Sequence, residues 1–272
     1  MKIPKSLPLA GIAALALLAA GKSSAVVLLT DNFTVSANSN DLNFDLAAGR
    51  QGGSLATPTI SYTARFGTDG HQQVGNAATF AGNSASLLLD NGGGGYLNYN
   101  FATVASPISI AFDGIVGSNL VNDASNWVGL EIQNTNGAAA FVNSGNFGIL
   151  FRANGGTQYF NGSTATTGAT ATNGTPSSTG GQDVTNHFEI VLSDTAGTGS
   201  AFAGNGTKVA YYENGVLLGT INANQLTGGY IGFSATSLAS VDNLVIQSVP
   251  EASSLAVAGL AGGLLLSRRK RN

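Results

Sequence analysis

The 272-residue chain has no cysteine, one methionine, one tryptophan and two histidines, and only 9% of its residues are charged. The missing cysteine excludes disulfides, thiolate nucleophiles and cysteine-ligated metals. It does not exclude export, because a domain of this length can bury enough apolar surface without covalent staples. The straight-chain helix formers Lys, Glu, Arg, Gln and Met are scarce, so long amphipathic helices are not expected. The two histidines offer little base chemistry. His71 lies in the polar turn "DGHQQ", and His187 precedes an alternating segment, where it caps or edges a strand. Neither has the i,i+4 partner of a helical zinc site.

Catalytic patterns are equally thin. There is no G-x-S-x-G elbow; "GFSAT" (232–236) lacks the last glycine. Glycoside hydrolysis needs two carboxylates flanking the cleaved bond. Glu131 stands alone in its segment, and Glu189 and Asp194 are five residues apart, on opposite faces of an ideal strand. These acids read as solvent-facing charges, and the chain is expected not to be an enzyme.

What the chain does have is 38 glycines with abundant Asn, Ser, Thr, Val and aromatics, a composition for turns and strands. Short β segments follow one another: "ISYTARF" (60–66), "SLLLD" (86–90), "YLNYNFATV" (96–104), "ISIAFDGIV" (108–116), "NWVGLEIQ" (126–133), "NFGILFRA" (146–153), "HFEIVLSD" (187–194), "GYIGFSAT" (229–236) and "ASVDNLVIQSV" (239–249). Several alternate strictly. Phe147, Ile149 and Phe151 share one side, and Val128, Leu130 and Ile132 oppose Trp127, Gly129 and Glu131. Period two marks strands with one face on a core. Asn214-Gly215, between "VAYYE" and "VLLGTI", predicts a two-residue hairpin, since both central residues must take positive φ. About a dozen short strands are too many for one open sheet, so two stacked antiparallel sheets are expected.

That pattern predicts an all-β fold: an antiparallel two-sheet jelly-roll sandwich spanning 26–248. A β-helix or a pair of smaller sandwiches is the structural alternative, and no fixed-period repeat favours the β-helix. The hairpin "KVAYYENGVLLGTI" and the closing "GGYIGFSAT…SVDNLVIQ" resemble the corresponding parts of laminin-G-like and concanavalin A-like sandwiches. "TDNFTV" near the start fits a first strand pairing with the last. One stretch breaks the pattern. In 154–182, nearly all Gly, Thr, Ala, Ser and Asn, Tyr159-Phe160 forms a brief strand and 161–182 is expected to be a mobile surface loop.

Two binding chemistries remain open in such a body. Sugar binding uses exposed aromatics that stack on sugar faces; Trp127, Tyr96, Tyr99, Tyr211 and Tyr212 are available, with Trp127 the leading candidate. Calcium would need Asp31, Asp242 and backbone carbonyls brought together by pairing of the first and last strands; otherwise no cofactor is expected. Asn-x-Ser/Thr occurs at Asn32, Asn161, Asn173 and Asn205, a motif that arises freely in an Asn/Thr-rich chain.

The two ends differ from the body. "MKIPKSLPLAGIAALALLAAGKSSA" opens with Lys2 and Lys5, continues through an apolar stretch and ends with Ser23 and Ala25 at small-residue cleavage positions. This is the pattern of a secretory signal helix, removed by signal peptidase. Seven of the eleven basic residues lie in the ends. Between Val26 and Pro250 only Arg50, Arg65, Arg152 and Lys208 face thirteen acids, so the body carries nine net negative charges. Such a body is not expected to bind nucleic acid or an anionic lipid surface.

The C-terminal 249–272 is tripartite: "VPE", the apolar "SSLAVAGLAGGLLL", then Arg268, Arg269, Lys270 and Arg271. A helix over the apolar run is short of a hydrocarbon core of about 30 Å, so 253–267 reads as a weak, transient transmembrane segment in the inner membrane. The basic end stays cytoplasmic. Order and spacing resemble the PEP-CTERM sorting signal of Gram-negative bacteria, with Val249, Pro250 and Glu251 as the motif and Ala252 where that family has proline. The resemblance implies recognition and cleavage by an exosortase and delivery to the cell surface or an exopolysaccharide-rich extracellular matrix. The expected role is non-catalytic adhesion or structure; the alternatives are a lectin-like carbohydrate-binding module, calcium-assisted or not, and a divergent polysaccharide hydrolase.

Overall fold

The computed structural model describes residues 24–56, 59–65, 72–75, 86–89, 93–116, 122–136, 146–162, 174–179, 182–236 and 239–250. The expected signal helix up to Ser23 and the tail from Glu251 onward lie outside them, as do His71, Asn173 and 163–173. Val26–Val249 forms one compact unit.

Two antiparallel sheets make a β-sandwich. The larger runs β15 (Val216–Ala223), β14 (Thr207–Glu213), β13 (Asn186–Ser193), β7 (Ile108–Val116), β17 (Ala239–Ser248), β1 (Val27–Asp31), β2 (Gln51–Gly52), with β5 (Ser86–Leu89) also on β17 and β4 (Gln72–Gly75) on β5. The smaller has six strands in the order β10 (Thr157–Asn161), β9 (Phe147–Arg152), β8 (Trp127–Gln133), β16 (Tyr230–Ala235), β6 (Gly94–Leu97), β3 (Tyr62–Ala64). A two-stranded ribbon, β11 (Ser178–Thr179) and β12 (Gln182–Asp183), lies apart from both.

Alternation decides what meets between the sheets. Ile108, Ile110 and Phe112 of β7 and Phe188, Ile190 and Leu192 of β13 are buried in one core with Val128, Leu130 and Ile132 of β8 and Phe147, Ile149 and Phe151 of β9. Phe112 packs edge-on against Phe151 and Phe233, and Phe151 lies 4.3 Å from Phe188 between ring centroids. Such aromatic contacts add to area burial.

The hairpin at Asn214-Gly215 forms as expected, with φ of 50° and 78°. The first strand pairs with the last: Asp31 sits opposite Leu244. Three expectations need correction. "TDNFTV" does not continue as a strand, because Phe33 turns into the left-handed region at φ 51°, where the buried Asp31 carboxylate accepts its N–H at 2.9 Å. "YLNYNFATV" breaks after Leu97 into a short 3-10 turn, Phe101–Thr103, capped by the Asn100 side chain. The C-terminal part of the supposed mobile loop is tied down. Thr175 N–H donates to Glu213 Oε1 at 2.8 Å, Asn122 Nδ2 donates to the Ser178 carbonyl, and β11 pairs β12.

Candidate functional site

The face of the six-stranded sheet turned away from the core carries the polar chemistry. On β8, Trp127, Gly129, Glu131 and Gln133 point to this outer face, opposite the core residues Val128, Leu130 and Ile132. Glu131 and Gln133 are nevertheless buried, at 1% and 0% exposure. Cross-strand register explains the arrangement. Gly232 of β16 lies between Tyr96 of β6 and Glu131 of β8. A Cβ on Gly232 would come within 2.1 Å of the Tyr96 ring, so the ring lies flat over bare backbone. It thereby spans a whole strand, and the Tyr96 hydroxyl donates to Glu131 Oε2 at 2.9 Å. Asn146, just before β9, donates through Nδ2 to Glu131 Oε1 at 3.3 Å.

Burial dominates the electrostatics. Loss of water pushes the Glu131 carboxyl up to about 7, against the hydrogen bonds from Tyr96 and Asn146, the nearby Gln133 amide and the charge of Arg65, which favour ionisation. Burial and the Glu131 charge raise the Tyr96 phenol well above its ordinary value. Arg65 directly follows β3, and its charge is felt by both groups. The Ser234 hydroxyl and both polar atoms of the Gln133 side chain are buried without a hydrogen-bond partner. Buried polar groups are rarely left so; two on one face mark a place that water or a ligand would complete.

The other end of the face is more open. Trp127 pairs directly with Arg152 of β9, and both are half-buried. Arg152 donates to the Ala124 carbonyl and to Gln158 Oε1, while its Nε is buried without a partner.

Trp127 is therefore on the outer face, as its alternation predicts, but half-buried rather than free. Of the other aromatics proposed for sugar stacking, Tyr96 and Tyr211 are buried. Tyr99 packs edge-on at 4.8 Å against Phe101, and Tyr212 lies on β14 of the other sheet. The reading of Glu131 as a solvent-facing charge is overturned by its burial under Tyr96 and Asn146. Sequence could not show this, because the bare backbone of Gly232 becomes relevant only once β6, β16 and β8 are in register.

The calcium pair does not fit. Asp31 Oδ1 meets Arg50 Nε at 2.9 Å, with both side chains fully buried, and Oδ2 accepts from Tyr62 Oη at 2.9 Å and Arg50 Nη2 at 3.1 Å. A carboxylate so occupied has no lone pair to give a cation. Asp242 Oδ1 accepts from the Asn243 N–H at 2.7 Å. The Asp242-Asn243 pair builds a bulge in β17, with Asn243 at φ 49°. Among the described residues no group of three or more His, Cys, Asp or Glu is placed to hold a metal.

Other candidates serve local structure. His187 Nδ1 lies 2.7 Å from Asp113 Oδ1 on the outer face of the larger sheet. Glu189 accepts from Ser109 Oγ at 2.6 Å, and Asp194 accepts the Thr198 N–H at 2.9 Å across its turn. Asn161 is engaged with Asn224, and the Thr207 hydroxyl of the Asn205 motif is buried against the Ala201 carbonyl. Asn32 and Asn205 are exposed. At the ends, Ala25 is exposed, Val249 N–H donates to the Pro107 carbonyl at 2.8 Å, and Pro250 is the last described residue. Ser23, Glu251, Arg268, Arg269, Lys270 and Arg271 lie outside the described residues. So does the segment 253–267; among the described residues no helix is long and apolar enough to cross a membrane.

No known family profile matches the chain, and no curated protein matches it in sequence. Solved structures with a similar chain path include the alginate lyase Aly36B, at 12% identity over 84% of this chain and 98% of that one, TM-score 0.49. The carbohydrate-binding module CBM66 from Bacillus subtilis is similar at 10% identity over 69% and 95%, TM-score 0.44. The binding domain of botulinum neurotoxin serotype D is similar at 13% identity over 89% and 51%, TM-score 0.42. These likenesses concern the path of the strands and assign no role to any residue here.

Proposed function

We propose that the chain is an exported protein of the cell surface or extracellular matrix whose β-sandwich binds polysaccharide, without cleaving it, through the outer face of the six-stranded sheet. One observation carries the binding part: a glycine-bared sheet face that gathers Tyr96, Glu131, Gln133 and Ser234 beside the half-buried Trp127, with polar groups left unpartnered. Carbohydrate recognition combines such directed polar groups with an aromatic platform. Affinity electrophoresis in polysaccharide gels tests it. Retardation that falls at least fivefold in Trp127→Ala, with thermal melting intact, is expected; equal migration of the two proteins in every gel overturns the assignment of this face.

A catalytic reading draws on a single observation, the Glu131 carboxyl near 7 beside Tyr96, since a group poised near the working pH suits proton transfer. Reducing-end and unsaturated-product assays separate the two: turnover abolished in Glu131→Gln replaces binding with catalysis.

Delivery rests on the ends of the sequence. Export by the signal segment, transient residence in the inner membrane and exosortase cleavage at Val249-Pro250-Glu251 are the reading their layout supports. Replacing Pro250 and Glu251 by Ala in the native host is expected to leave the tail attached and the protein membrane-bound; an unchanged mature C terminus and location rejects it.

A further inference from the structure

We infer that two copies of this chain associate edge to edge, β15 of one pairing antiparallel with β15 of the other. A terminal strand offers a row of unpaired N–H and C=O groups, and proteins blunt such edges with charge, proline, bulges or very short strands. Three edges here are short: β2, β3 and β4 have two, three and four residues. β15 has eight, Val216–Ala223, with no charge and no proline. One side of it is taken by β14, and among the described residues nothing bonds to the backbone on its other side. Val216 and Leu217, at 61% and 52% exposure, are the most exposed large apolar side chains among the described residues. The ladder to β14 has a bulge at Leu218, since Tyr211 and Tyr212 face Gly219 and Leu217. Beyond it Gly219–Ala223 runs in regular register with β14.

Charge and symmetry favour a second copy as the occupant. A body with nine net negative charges repels itself, so copies can meet only where acids are distant. β14 carries Lys208 and the buried Glu213, which offset each other. The next strand acid inward is Glu189 on β13. Across a β15–β15 pair the two β13 strands stand five steps apart, about 24 Å at the usual spacing, or roughly three Debye lengths at physiological salt. The edge of the smaller sheet on this side is uncharged too. Asn224, just after β15, donates its N–H at 2.7 Å to Asn161 Oδ1 at the end of β10 (Thr157–Asn161). The exposed Leu217, Thr220 and Asn222 present no charge that would select a foreign strand. An identical edge is complementary by symmetry, because a two-fold axis sets each row of donors and acceptors against its own copy. With that axis beside Thr220, the middle exposed residue, Thr220 faces Thr220, a favourable cross-strand pair.

The test is sedimentation velocity of the full-length protein in mild detergent over a wide concentration range, with amide hydrogen exchange at both ends of it. The parent is expected to pass from monomer to dimer as concentration rises. Exchange across Val216–Ala223 should slow in step. Thr220→Lys and Thr220→Glu should keep the parent melting curve, because Thr220 is exposed. Each should weaken the dimer about tenfold, since like charges then oppose each other across the axis. Mixing the two variants should restore it. If either variant fails to fold, the exchange measurement on the parent decides. A parent that stays monomeric at every concentration overturns the inference. A dimer that both variants form as readily as the parent places the contact elsewhere and overturns it, as does a mixture that stays monomeric. Slow exchange across Val216–Ala223 in the dilute monomer means that the edge is already covered within one chain, and also overturns it.

Discussion

Glu131 has a carboxyl that is close to half-protonated at neutral pH, and the sign of its effect on stability follows. Its folded-state value of about 7 lies above the ordinary 4.5, so between those values the folded chain holds a proton that the unfolded chain has released. Its contribution is complete below about pH 4.5 and is lost as pH rises through 7, amounting to at most about 3 kcal/mol. Glu131→Gln keeps an acceptor for Tyr96 and cannot ionise. The variant should melt above the parent at pH 8 and close to it at pH 5; a difference in melting temperature that does not change with pH contradicts the burial argument. Gly232 is the second residue on which the site depends. A methyl group there would displace the Tyr96 ring, so Gly232→Ala is expected to cost about 1–3 kcal/mol and to remove the Tyr96–Glu131 bond. Tyrosine near-ultraviolet circular dichroism and denaturant melts would register both.

Among the elements, the strands with strict alternation were legible in the chain: β7 spans 108–116 as its pattern predicts, and β8, β9 and β13 fall within a residue or two. Period two needs only local side-chain chemistry. The hairpin was legible for the same reason, since Asn-Gly meets its φ requirement within two residues. Gly215 has open space where a Cβ would stand, so its role is purely conformational. Gly215→Val should destabilise by about 1–2 kcal/mol without altering the core, measurable by urea melts with an unchanged m-value. What could not be read were features made by distant partners. The 174–179 segment is apolar-poor and looks loop-like, yet Glu213 and Asn122 hold it. The break after Leu97 depends on Asn100 reaching Ala102 N–H and also accepting from Gly229, 129 residues away. The candidate site belongs to this second class: its outward residues on β8 were legible by parity, its buried pair only through three-strand register.

For the whole molecule, the strands of the larger sheet carry Asp31, Asp113, Glu189, Glu213 and Asp242 against Glu131 alone in the smaller, and mass spectrometry of the protein from its native host tests the proposed processing. A mass starting near Val26 and ending near Val249 is expected, and retention of either end would contradict the processing read from the sequence. The position of β17 has a kinetic consequence. The last strand to be synthesised pairs with β7, β1 and β5 in the middle of the larger sheet, and contacts this distant in sequence form slowly because long loops must close first. A chain that emerges N terminus first therefore cannot complete its larger sheet until Ser248 has emerged. Until then β1 and β7 wait with open edges, the state in which strands find wrong neighbours. Under the export proposed above, chaperones acting beyond the membrane would be needed most in the last moments of translocation, when nearly all of the sandwich is across and its central strand is still missing.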